Sequence, residues 1–395
     1  MFFRTIGELY EISDLVRLAS NRKLEYYNSK FADKHYSIEQ LESIFLECIE
    51  RVRLFRKIPF IDTEVVGNDA RDKAKLTPSV SCGFNEIGDY KITFNSDFTY
   101  YTGRYIGFIF SKPLSEAKIK WMQEKGISYK VYDKSIYDYP SFVKYQPCKH
   151  SLVEYILKMA VWFITLHEVS HILNGHLDYN EEMKRLSCKV DIDISRAMEL
   201  HADMCATDMM LIIMRSWENH ICEIKLTGHA EGDRTNVTYF DELILAAISA
   251  YIALRCFLRE DKWDEYTIGL HEGSGDKHPL TELRMAVVFN MFLQGLIDLG
   301  KDDLEKRVLA NQFFNTVLDF EDFWFENYKE DDEEDNLQYR PTELLRTEKG
   351  KDYYHRLFEK VMELNDILPK YSCGFSMVEG TWCDYQTIPE RMFWT

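Results

Sequence analysis

The sequence predicts a chain of the α+β class, mainly α. Three observations carry this. Apolar residues recur at three and four through most of the chain, and one block between 76 and 112 alternates instead. Hydrophobic residues make up 46% of the 395, enough for a sizeable core. The expected division is an N-terminal helical region over 1–75, a core over 76–300, and a C-terminal helical region with a tail over 301–395.

In the first region Leu41, Ile44, Phe45, Cys48 and Ile49 mark one face of a helix, with Ser37 as its N-cap. Next, Val80, Cys82 and Phe84 alternate, then Tyr90, Ile92 and Phe94, and the run from Tyr105 to Phe110 follows. Glycine and asparagine between the runs mark turns, so a small antiparallel sheet is expected over 76–112. The segment 113–149 reads as a helix and an irregular connection.

Helix is expected over 150–174, stopped by Asn174-Gly175, then a polar connection over 177–190 and a second long helix over 191–221. Further helices are expected over 238–259, over 279–299 with Pro279 in the first turn, over 302–327 and over 341–367. The run from Lys329 to Asp335 reads as an acidic surface loop.

Forty-eight basic residues against 66 acidic ones leave a formal charge of -18, which repels nucleic acid and anionic membranes as partners. Nine scattered cysteines without a C-x-x-C pair read as reduced thiols, so a cytoplasmic location is expected. No secretory signal is read at the N-terminus. The longest apolar runs, 156–166 and 243–258, are each interrupted by a basic residue and fall short of the ~20 residues that span a bilayer. No integral membrane span is expected.

The chemistry concentrates between Val161 and Asp203. His167-Glu168-Val169-Ser170-His171 sets two histidines at i and i+4, so both imidazoles share one helical face and can reach one metal ion. Glu168 beside them is placed to take a proton from a water that the metal activates. Three residues are candidates for a third ligand: His176, His201 and Glu199. Glu199 has the better context, because Asp203 follows it at i+4 and can fix the tautomer of a ligand histidine. His176 reads slightly better as a polar residue after the helix stop than as support behind the ligands.

His167-Glu168-x-x-His171 followed by Glu199-Leu200-His201-Ala202-Asp203-x-x-Ala206 resembles the H-E-x-x-H … E-x-x-A-D-x-x-A arrangement of gluzincin peptidases of the HtpX and CAAX prenyl protease type. Their later H-P-x-x-x-x-R element is matched by His278-Pro279 and Arg284. The resemblance covers about 160–300, mainly these motifs, and departs in that those enzymes are embedded in membranes. It implies a zincin-type metallopeptidase core with two long active-site helices. It implies zinc (Zn2+) bound by His167, His171 and Glu199, with Glu168 as general base. A looser resemblance to Lit-like phage-exclusion peptidases fits the cytosolic composition better.

The expected function is zinc-dependent hydrolysis of peptide bonds in a protein or peptide substrate. His278 is the expected donor to the oxyanion that develops on the substrate, and Arg284 is expected to position His278 or grip the substrate. One alternative is a Lit-like phage-defence effector that an activating protein partner or a phage polypeptide switches on. The other is a catalytically silent zinc-binding scaffold.

Overall fold

The computed structural model describes residues 38–66, 80–95, 152–216, 239–255, 277–297 and 347–373, with isolated positions between 98 and 102 and between 302 and 313. The Ser37 cap, the run 105–110, the segment 113–149, the acidic run 329–335 and most of the 302–327 helix lie outside the described residues. The described part is mainly helical with one small sheet, as the sequence predicts.

The centre is helix α2, Leu152–Leu173. Its side chains from Ile156 to Leu173 are buried on every face except a half-buried Lys158, the pattern of a helix enclosed by others. Lys158, which interrupts the apolar run, reaches out to Glu47 at 2.8 Å and lies 4.9 Å from the centroid of the Trp162 ring. Its apolar stem therefore packs while its ammonium keeps a partner. Among the described residues, the window Ile156–Leu173 is the one long and apolar enough to cross a membrane, and 94% of it is buried inside the fold.

Helix α1, Ile38–Arg53, lays Leu41, Phe45, Cys48, Ile49 and Val52 against α2, the spacing of a single helical stripe. Helix α3, His176–Arg185, follows α2 after Gly175, whose φ of 75° turns the chain through the left-handed region. This helix corrects the polar connection expected over 177–190. Its sequence is polar and buries only His176, so it carries no apolar stripe to read. Asp178 in its first turn and Lys184 and Arg185 in its last suit the helix dipole.

Helix α4, Ile192–Ser216, packs on α2 and also on α6, Thr281–Ile297, and α7, Glu348–Ile367. It is the hinge of the core. Ala206, Met209 and Met210 join the cluster around α2, whereas Ala197, Leu200 and Met204 join a second cluster with α6 and α7. Helix α5, Tyr239–Arg255, packs between α2 and α6. Thr347 caps α7 by accepting a hydrogen bond from the Gly350 amide, so that helix begins later than the expected residue 341.

The sheet is mixed, in the order β1-β3-β2. Strands β2, Val80–Phe84, and β3, Tyr90–Asn95, pair antiparallel as expected. Asn85 Oδ1 accepts from the amides of Ile87 and Asp89, and Gly88 at φ 89° completes the turn. Strand β1, Ile61–Val66, pairs parallel with β3, which corrects both the all-antiparallel expectation and the helical reading of residues 1–75. A parallel partner needs no local turn, so nothing beside β1 in the sequence marks its pairing. β2 packs on α2, which brings the sheet to the histidines.

Candidate metal centre

α2 carries His167 and His171 one turn apart, and the facing helix α4 supplies Glu199. The two Nε2 atoms stand 3.1 Å apart. Glu199 Oε2 lies 3.3 Å from His167 Nε2, and Oε1 lies 3.6 Å from His171 Nε2. All three ligand atoms fall within 4.8 Å of one another. Donors held ~2.0–2.1 Å from a tetrahedral ion stand about 3.3 Å from each other, so this spacing fits a divalent metal. The buried group His167, His171 and Glu199 can hold a metal ion.

The surrounding charges favour a cation there. Burial works against ionised Glu199, but His171, His167 and His278 around it hold its carboxyl well below the usual carboxylate range. Burial pulls the His167 imidazole down, yet Asp203 and Glu199 outweigh it and hold it up to about 10. Without a metal, a proton on His167 fills the demand for positive charge. A metal ion held by the group would take the place of that proton.

Asp203 stands behind His167, with Oδ1 2.9 Å from Nδ1. The approach is close but not aligned as a straight N–H···O bond, so its main contribution is electrostatic. Asp203 is fully buried and depends on Arg284, whose Nε donates to Oδ2 at 2.6 Å and whose Nη2 donates to Oδ1 at 2.9 Å. The sequence reading placed Arg284 beside His278 or on a substrate. The structure commits its fork to Asp203.

His278 does reach the group: its Nδ1 lies 3.2 Å from Glu199 Oε2, and its side chain is 63% exposed. Glu168, next to His167, is 8% exposed, and its charge is felt by Cys82 on β2. Burial, then the Glu168 carboxylate, push the Cys82 thiol up, so it stays protonated.

Behind His171 the structure corrects the reading of His176. Its ring is fully buried, with Nδ1 2.8 Å from His171 Nδ1 and Nε2 3.0 Å from His201 Nδ1. His201 therefore sits behind His176 and not among the ligand atoms. The helix stop at Gly175 hides the link, because it breaks the helical spacing between His171 and His176. Cys82 was missed for the opposite reason, since its strand alternation reads as packing alone.

Comparison with models of protein families, with curated proteins and with solved structures finds no match to this chain.

Proposed function

We propose that the chain is a zinc-dependent endopeptidase of gluzincin type, with His167, His171 and Glu199 holding the ion. The observation that carries this reading is the convergence of three ligand atoms at tetrahedral spacing directly beside Glu168. Two neutral nitrogens and one carboxylate are a donor set that suits zinc and leaves it net positive with an open position. When bound there, zinc supplies Lewis acidity for a carbonyl and for a water.

The protein's own residues do the rest. Glu168 takes the proton from the attacking water and passes it to the leaving nitrogen. His278, seated at Glu199 and open to solvent, donates to the oxygen on which negative charge develops. The substrate is an extended polypeptide. β2 pairs with β3 and packs on the helix that carries Glu168, and the substrate strand is proposed to lie along this sheet.

The test combines metal analysis with cellular protein termini. One zinc per chain and new termini that vanish with Glu168→Gln, while the zinc remains, are expected. A chain that takes up no zinc, or identical termini with wild type and Glu168→Gln, overturns the proposal.

A further inference from the structure

Three buried imidazoles stand in series behind the metal group, and we infer that this series sets the proton positions that make His171 a ligand, with His176 as the positioning residue. The inference rests on the metal reading of His167, His171 and Glu199. His171, His176 and His201 are 8%, 0% and 2% exposed, and they meet ring nitrogen to ring nitrogen. A neutral imidazole has one N–H and one bare nitrogen, so each contact in the series needs a donor on one side only.

Only two arrangements satisfy both contacts. In the outward one, His171 Nε2 is bare toward Glu199 and Nδ1–H donates to His176 Nδ1 over 2.8 Å. His176 then carries its proton on Nε2 and donates to His201 Nδ1 over 3.0 Å, which leaves His201 protonated on Nε2. In the inward one every proton sits on the other nitrogen, and His171 Nε2 holds a hydrogen where the metal must bind. The first is ready for metal and the second is blocked. Metal binding selects the outward arrangement, and His176 transmits that choice because it touches both neighbours. His167 is served differently, by the carboxylate of Asp203.

Zinc affinity of the full chain, measured by competition with a chelator, and nitrogen-15 NMR of labelled histidines test this together. His176→Phe, which has neither donor nor acceptor, is expected to bind zinc about 10–100-fold more weakly than wild type. His176→Gln, whose amide oxygen can accept and whose amide nitrogen can donate, is expected to recover most of the loss. In the zinc-loaded wild type, His171 is expected to be protonated on Nδ1, and His176 and His201 on Nε2. A proton on His176 Nδ1 in the loaded chain, or wild-type affinity in His176→Phe, overturns the inference while leaving the metal site intact. A wild-type chain that binds no zinc overturns both. Should His176→Phe fail to fold, the wild-type spectrum decides.

Discussion

Arg284 holds Asp203 by both carboxylate oxygens, at 2.6 and 2.9 Å, across 81 residues of chain. The pair ties α6 to α4 directly behind His167, so it belongs to the fold and to the site at once. Burial opposes ionised Asp203, and Arg284 overcomes it and keeps the carboxyl below its ordinary range. Arg284→Met leaves that carboxylate buried and alone, and a loss of ~3–5 kcal/mol in unfolding free energy is expected. Arg284→Lys is expected to recover only part, because an ammonium cannot reproduce the two-pronged grip. Denaturant unfolding of the three proteins measures this, and equal midpoints for wild type and Arg284→Met would refute it.

Glu199 is the one anion among the three ligand atoms. Glu199→Gln keeps the shape and removes the charge, so zinc is expected to bind at least ~10–100-fold more weakly, the range that even outer partners of a ligand command. The far-ultraviolet circular dichroism spectrum is expected to stay unchanged. Retention of zinc at wild-type strength would exclude Glu199 as a ligand.

Acid is expected to weaken the metal-free chain. Burial, then the neighbouring His171, lower the His201 imidazole to about 3, and burial first and His171 next hold His176 well below its ordinary value. Both folded values lie under the ~6.5 of an unfolded histidine, so the unfolded chain takes up protons first. The stability these two support is present above about pH 6.5 and is lost as the pH falls toward about 3. His167 has the opposite sign: its share is full below about 6.5 and is lost as the pH rises through about 10. Thermal melts of the metal-free protein across the acidic window check the first part. A constant midpoint there would count against it.

Gly175→Ala is expected to destabilise the chain by more than ~2 kcal/mol. The position has φ 75°, which alone costs roughly 1–2 kcal/mol for a residue with a side chain. An added Cβ would also fall on the Tyr371 backbone, 2.6 Å from its carbonyl oxygen. Gly83, around which a Cβ meets nothing within 4 Å, is the control, and Gly83→Ala is expected to be nearly neutral. Parallel unfolding curves compare the two, with equal shifts as the disqualifying result.

The helices were legible where burial writes a period into the sequence. α1, α2, α5 and α6 show apolar recurrence, and their stops at Gly175 and starts near Pro279 stand in the chain itself. α3 was not legible, because it is held by the left-handed turn before it and by packing of His176 rather than by an apolar face. β1 alternates in Ile61, Thr63 and Val65, but its partner β3 lies beyond the intervening strand β2, and no local residue encodes that choice. Within the site, spacing on one helix predicted the pair His167 and His171, and i, i+4 spacing predicted Glu199 with Asp203. Contacts between elements were not predictable in this way: Arg284 went to Asp203, and His176 went behind His171.

The stop at Gly175 leans on the far end of the described chain. The Cys373 amide donates to the Leu173 carbonyl at 3.1 Å, and the Tyr371 backbone fills the space where a side chain on Gly175 would sit. His176 begins immediately after that stop. During synthesis on the ribosome, α2 emerges with its two histidines long before residues 371–373 exist. Zinc that met the nascent chain early would find His171 without the buttress that fixes the ring behind it. The support behind His171 is therefore completed only once residues 371–373 have been made.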